Sequence, residues 1–545
     1  MSAFVTDQFR IFNAGNFVDS VLDTNNSYYV FLGLSNPTSP SPGFGRTSTW
    51  NDAAGPPNPI DNFSYESQYG STSLFGKRVV GDNIRRVIRK VEWTKNTYYD
   101  MYRQDYDINN KAPNSGTGRL YDANYFIVNS DYNVYICIEN GSSGVSGTTT
   151  SKGNQSEDEP TFTDLEPSAA GTSNDGYIWK FLFTISPSDI VKFDSTEYIV
   201  VPNNWATSTN SQIQSVREAG DSTINLNQIK TVYIEDGGKG YEPNTTTTVD
   251  IIGDGTGAKA SVTSDGNGVI TDIVVTAGGS GYSYGMVNLG AFGQPTGGFP
   301  AGSVTAIPAK LIPIIPPSRG HGYDIYKELG ADRVLVYARF DDSTKDFPTD
   351  TKFAQVGIVK NPSTYTSENT IFTGGQYSSL GAIKILDYSA WDSTNLSIGS
   401  TITQVLPDNA GTAKGYVASY DKQSGVLKYY QDRSLYYEQT NNRNNQTDYI
   451  GVGSDANSKQ LAFGTSGSIK FLSTPKPSDA SVSVAFTGST MVDGTKEVDL
   501  GVYFTSGLAN PEINKTTGDV IYIDNRKEVT RDSRQKEDIK IVLEF

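Results

Sequence analysis

The sequence predicts an all-β protein, mainly an antiparallel β-sandwich, with a short N-terminal helix, long finger loops and two inserted small β domains. Three observations predict it. The 545 residues include 54 Gly and 33 Tyr; the apolar runs are short, β-branched or aromatic, and broken by Gly, Pro, Asn and Asp; and two long stretches change texture abruptly. Tyrosine and β-branched side chains suit a pleated, half-buried surface, while Gly, Pro, Asn and Asp supply the turns between strands. At roughly 150 residues per domain the length suggests three or four separately cored units.

Residues 5 to 23 carry Phe9, Phe12, Val18, Val21 and Leu22 at near-helical spacing without Pro, and predict one amphipathic helix. From Tyr28 the run YYVFLGL reads as a strand. It ends in SNPTSPSPGFG, where repeated Pro removes the donors a ladder needs, so residues 35 to 70 are expected to form an exposed finger. In NVYICIEN, Val134, Ile136 and Ile138 share one face and Tyr135 and Cys137 the other, which makes Cys137 a half-buried strand residue. Residues 141 to 175 are Gly, Ser, Thr, Asn and acid-rich, and are expected to be a mobile surface loop with too little apolar area to offset its ordering entropy. YIWKFLFTI and EYIVVP read as strands separated by a turn in SPSDIVKFDST. DRVLVYARF, KFAQVGIVKNP, GDVIYIDNR and DIKIVLEF continue the strand texture. In the last of these, Ile539, Ile541, Leu543 and Phe545 share a face.

Between Trp205 and Pro317 the sequence repeats itself: Ile229–Tyr241, IKTVYIEDGGKGY, matches Ile270–Tyr282, ITDIVVTAGGSGY. Ile229, Val232 and Ile234 in one copy, and Ile270, Ile273 and Val275 in the other, lead into a Gly-Gly-x-Gly-Tyr turn in which glycine permits positive φ. Two copies are too few for a free-standing solenoid, so this block must close its own core or dock. The reading is a discontinuous core over 1–205, 318–365 and 506–545, interrupted by a Gly-rich β domain at 206–317 and a second β domain at 366–505.

The chemistry is mostly exclusion. The formal charge of −16 has the wrong sign for releasing phosphate counterions, so direct nucleic-acid binding is not expected. One cysteine makes no disulfide framework. No basic-then-apolar leader and no window near 18 apolar residues argue against export or membrane insertion, so the chain is expected to stay where it is made. No GxxxxGK[ST] is present, and one histidine, His321, forbids HExxH. Cys137 with His321 is the one conceivable nucleophile and base, a remote pairing. Asp250, Asp254, Asp265 and Asp272 lack calcium-loop spacing and read as turn carboxylates. Trp50, Trp93, Trp179, Trp205 and Trp391 are candidates for sugar stacking, with core packing the commoner role. No catalytic residue, metal ligand or cofactor site is assigned, and an enzyme is not expected, although paired carboxylates for glycoside cleavage cannot be read from sequence.

The strings NDGYIWKFLFTISP (174–187), TEYIVVPNNW (196–205), KFAQVGIVKNP (352–362), GDVIYIDNRKEV (518–529) and KEDIKIVLEF, with IRKVEWTKNTYYDMY (88–102) and DQFRIFNAGNF, resemble in their order the baseplate wedge subunit of T-even-like contractile-tailed bacteriophages, the gene product eight family. The resemblance covers a little over half the chain and leaves out both inserts. It implies a sandwich-like fold with finger loops, a homodimer within each wedge, other wedge proteins as partners, and a place in the virion's tail baseplate after assembly in the host bacterial cytoplasm. It carries no catalytic residue. Trp93, Trp179, Tyr198, Pro202, Asn361, Pro362, Asn525 and Arg526 are its fold or interface candidates. A protein–protein scaffold is the expected function, and a tail-associated receptor- or glycan-binding protein the alternative.

Overall fold

The structure, a computed structural model, describes residues 5–34, 69, 73–142, 152–221, 227–295, 305–341, 352–390, 396, 401–405, 412–430, 468–471, 480–515, 517–530 and 535–545. It consists mainly of antiparallel β-sheets with a short helix near the N-terminus. Two compact units emerge, one of Met1–Val18, Arg85–Leu335 and Val542–Phe545, the other of Asp19–Ile84 and Val336–Ile541. The 206–317 block lies in the first unit and the 366–505 block in the second. The expected finger at 35–70 falls, Tyr69 apart, outside the described residues.

The N-terminal helix is Asp7–Leu22. Its buried residues are Ile11, Ala14, Val18 and Val21, spaced three or four apart along one face. Phe9 and Phe12, grouped with that face in the sequence, are instead 53% and 62% exposed.

In the first unit an antiparallel sheet runs Phe126–Val128, Asn133–Asn140, Tyr177–Thr184, Ser168–Ala169. Cys137 is fully buried and not half-buried as expected: Val134, Tyr135, Ile136, Cys137 and Ile138 are all buried, so both faces of this strand are covered. Trp179 stacks on Tyr177 with ring centroids 5.3 Å apart, and Tyr99 stands edge-on to both. Such ring pairs contribute about 0.5–1.5 kcal/mol each beyond area burial.

Two local expectations are corrected here. SPSDIVKFDST contains the helix Pro187–Phe193, with Ser186 as N-cap accepting from the Asp189 N–H at 3.2 Å. Ser, Pro and Asp favour turns and helix starts alike, and here they start a helix. Residues 152–175, read as a loop without fixed partners, are tied down by short polar side chains. Asp158 Oδ2 accepts from the N–H groups of Thr172 and Ser173, both at 2.8 Å. Asp175 accepts from those of Glu157 and Tyr177, both at 2.9 Å. Ser156 is fully buried and bridges to Thr97. Side-chain closure of backbone donors here takes the place of apolar burial.

The 206–317 block opens with a helix, Ser211–Asp221, before its strands. A four-stranded antiparallel sheet runs Ile270–Ser280, Thr256–Ser264, Thr246–Gly253, Gly285–Val287, and Val232–Asp236 pairs with Lys310–Pro313. Both repeats serve one core, which contains Ile229, Val232, Tyr241, Ile270, Ile273 and Tyr282. Gly238 (φ 64°) and Gly279 (φ 63°) hold equivalent left-handed turns, and each leads to a buried tyrosine. The Tyr241 hydroxyl accepts from the Ala309 N–H at 2.9 Å, and that of Tyr282 from the Ala258 N–H at 3.1 Å. The block also docks within its unit: the buried Arg103 guanidinium lies 3.8 Å over the Tyr233 ring while forking onto Asp105 at 2.9 and 2.7 Å.

The second unit is organised around an antiparallel sheet in the order Gln376–Ser378, Ser73–Val79, Tyr28–Gly33, Lys352–Lys360, Asp519–Thr530. A second sheet of seven strands includes Gly381–Lys384, Val426–Tyr430 and Leu508–Ala509. Alternation gives it two covered faces: Ile383, Leu427 and Leu508 enter one cluster, Ala382, Val426 and Ala509 another. The second cluster is completed by Met491, Leu500, Val502 and Phe504 of the hairpin Gly488–Asp493/Lys496–Phe504.

A Cβ at Gly279 would lie 2.5 Å from both Ala258 N and Thr256 O, whereas one at Gly257 (φ 83°) would meet only Gly279 Cα at 3.8 Å. Gly279→Ala should therefore lower the stability of the first unit by about 2–3 kcal/mol and Gly257→Ala by only about 1 kcal/mol, measured by denaturant titration.

Candidate functional site

The eight residues singled out by the family strings divide between the units: Trp93, Trp179, Tyr198 and Pro202 in the first, Asn361, Pro362, Asn525 and Arg526 in the second. Within its own unit, each of Trp93, Pro202, Asn361 and Pro362 ties separate chain segments together.

Asn361 shows this most fully. It sits in the left-handed region at φ 52°, a conformation that Asn tolerates better than most residues. Its N–H donates to the Ser27 carbonyl at 2.7 Å. Its Oδ1 accepts from the Ser27 N–H at 2.7 Å, and its Nδ2 donates to Asn26 Oδ1 at 3.0 Å. One side chain thus closes the ladder of Tyr28–Gly33 against Lys352–Lys360 at the point where the two strands part. Pro362 follows, buried, with its carbonyl accepting from the Phe372 N–H at 2.8 Å. Asn525 lies opposite Gln355 in the next ladder. Arg526 is exposed and pairs with Asp524 at 2.8 Å.

In the first unit Trp93 is half-buried and its indole N–H donates to Ser156 Oγ at 3.0 Å, which helps to order the 152–175 segment. Trp179 is fully buried, and its indole nitrogen has no hydrogen-bond partner among the described residues, so ring contacts hold it. The Pro202 carbonyl accepts from the Tyr326 hydroxyl at 2.7 Å. Tyr198 lies in the strand Tyr198–Val201, paired with Arg89.

The chemical candidates have other partners. Cys137 donates to the Glu139 carbonyl at 3.2 Å, and burial pushes its thiol well up, which disfavours the thiolate. His321 Nδ1 lies 2.5 Å from Glu328 Oε1 and the ring stands edge-on to Tyr102. Of the acids expected to be turn carboxylates, Asp265 is one, its Oδ1 accepting from the Asn267 and Val269 N–H groups, both at 2.9 Å, whereas Asp250 and Asp272 lie in strands, Asp250 pairing across the ladder with Lys259 at 2.9 Å. Asp254 accepts from the Ser283 hydroxyl at 2.5 Å and from the N–H groups of Ser283 and Tyr284, and these bonds hold its carboxyl down to about 2. Among the described residues no His, Cys, Asp and Glu side chains gather as a metal site. Trp179 and Trp205 are too buried to stack on a sugar. Trp50 and Trp391 lie outside the described residues.

Sequence reasoning missed the surface that the N-terminal helix presents. Phe9 and Phe12 are one turn apart, and Val5, just before the helix, is 47% exposed. Helical periodicity finds apolar positions, but it cannot say which of two apolar stripes the fold covers. Among the described residues no helix is long and apolar enough to cross a membrane. No protein-family model and no curated protein matches the chain.

Two outcomes are expected. Asn361→Ala should cost the second unit about 2–3 kcal/mol in denaturant titration, because it strands the Ser27 N–H and puts at positive φ a residue that tolerates it less well than Asn, while Arg526→Ala should change stability by less than about 0.5 kcal/mol. Asp254, with a carboxyl depressed from 3.8 to about 2, supports the Ser283 turn fully above the higher value and loses that support as pH falls through the lower one. Hydrogen exchange at the Ser283 and Tyr284 amides should accelerate across that window, and Asp254→Asn should abolish the dependence.

Proposed function

We propose that the chain is a structural subunit of a contractile phage tail, a baseplate wedge component that works as a protein–protein scaffold. The ordered strings that resemble the wedge family support this reading, and their best-resolved residues act as clamps in the fold. The observation that carries it is the exposure of Phe9 and Phe12 on the helix Asp7–Leu22, inside one of those strings. Exposed aromatics at helical i, i+3 spacing suit the anchor of a partner contact, since buried aromatic anchors dominate interface energetics.

The mechanism follows from the physics of assembly. Each unit has its own sheets and buried clusters, and a preorganised unit loses little conformational entropy when it docks. The net charge of −16 keeps free copies apart until complementary surfaces meet. The partners are a second copy of the chain and the other wedge proteins, and the location is the tail baseplate, reached after assembly in the host cytoplasm.

Light scattering on the purified chain, alone and mixed with the other tail proteins, tests the proposal. The expected result is a dimer that enters a larger complex of fixed stoichiometry. Phe9→Ser combined with Phe12→Ser should leave the circular dichroism unchanged and weaken assembly by about 100-fold or more. A persistent monomer that ignores those proteins overturns the scaffold reading.

A further inference from the structure

The second unit contains a cleft of about 660 Å³, within the range of small-ligand sites. One wall is the tip of the hairpin Ser363–Thr364/Ser367–Ile371; the other is the end of the strand Lys496–Phe504 and the turn that follows. The hairpin wall is tied to the Glu512–Ile513 segment, whose Glu512 also lines the cleft. Thr364 bridges to Ile513, and the Tyr365 N–H donates to the Glu512 carbonyl at 3.1 Å. Phe372, which lines the cleft, is held by its carbonyl, which accepts from the Tyr29 hydroxyl at 3.0 Å, and by an edge contact with the Tyr377 ring. A site so braced has little to order on binding.

Its chemistry is specific in kind. Tyr365 and Tyr503 are 36% and 69% exposed and supply ring faces. Thr366, Thr505 and Ser506 supply hydroxyls, groups that both donate and accept, while the Thr364 hydroxyl donates to the Ser367 carbonyl at 3.2 Å and keeps its acceptor capacity. Glu512 supplies a carboxylate oriented by the Ser378 N–H, which donates to its Oε2 at 2.7 Å. Among the described residues the lining includes no Lys or Arg, and Glu512 is the only formal charge there, so the lining offers an anionic ligand no cation to pair with. A proline-rich peptide would use the rings but lacks donors for the carboxylate. Among the described residues no group of three or more His, Cys, Asp or Glu side chains is placed to hold a metal ion. A sugar presents an apolar C–H face to an aromatic ring and a rim of hydroxyl donors to a carboxylate.

We propose that this cleft binds a neutral oligosaccharide, with a pyranose ring stacked on Tyr365 or Tyr503 and hydroxyls donating to Glu512. The inference is independent of the scaffold role, since it concerns a ligand and not an assembly partner.

The test uses the full chain and a panel of neutral oligosaccharides, α- and β-linked chains of glucose, galactose, mannose and N-acetylhexosamine, read by saturation-transfer NMR. Saturable binding of at least one of them is expected. Tyr365→Ala or Tyr503→Ala should weaken it about tenfold or more. Glu512→Gln, whose amide oxygen can still accept from the Ser378 N–H, should do the same. Thr366→Trp, at an exposed position, should fill the cleft and block binding, which guards against a variant that merely unfolds. No saturable binding at millimolar sugar overturns the proposal, as does binding that all four variants leave unchanged. Saturation of the cleft by a proline-rich peptide where every sugar fails overturns it in favour of a peptide site.

Discussion

The antiparallel pairing of Tyr28–Gly33 with Lys352–Lys360 is the constraint on which the second unit depends. These strands lie side by side in the middle of a five-stranded sheet, yet the residues that seal them, Ser27 and Asn361, stand 334 positions apart. Everything between is in effect a closed loop, and the entropy of closing it must be met before the ladder can reward it. The three hydrogen bonds of Asn361 at the ladder's end therefore fix register as well as adding energy, because a one-residue slip would turn Tyr29 and Phe31 out of their aromatic cluster.

The first unit solves a different problem. Much of it is polar loop, and it combines buried aromatics with carboxylates aimed at backbone donors. Tyr99, Tyr177 and Trp179 supply the apolar mass. Asp100, fully buried, accepts from the N–H groups of Asn114, Ser115 and Asn124, and Asp158 and Asp175 do the same for the 152–175 segment. Each such bond contributes on the order of 1 kcal/mol net, but leaving the donor unmet would cost more, so together they hold these turns in one conformation.

The lone cysteine and the lone histidine are committed inward: Cys137 is buried, which pushes its thiol up, and His321 is paired with Glu328. Among the exposed features are a pair of phenylalanines on one helix and a cleft lined by tyrosines and hydroxyls. Rigid placement of a few exposed aromatic side chains is the physical basis for a scaffold and equally for a sugar site.

Local patterns in the sequence were enough to determine the β-rich class, the N-terminal helix and the strands YYVFLGL, NVYICIEN, YIWKFLFTI and KFAQVGIVKNP, because period-two and period-3.6 patterning and turn chemistry act over a few residues. The Gly-Gly-x-Gly-Tyr repeat was legible for the same reason, as only glycine fits those turns without strain. Of the candidate surface, the strings and their residues could be read, but not their roles. Only the tertiary structure decided that Asn361 clamps Ser27, that Ile11 and Val18 rather than Phe9 and Phe12 face inward, that Cys137 is covered on both sides, and that Tyr365, Tyr503 and Glu512 share a cleft. Each of those facts depends on partners far away in sequence, and burial, unlike periodicity, is a property of what the rest of the chain brings alongside.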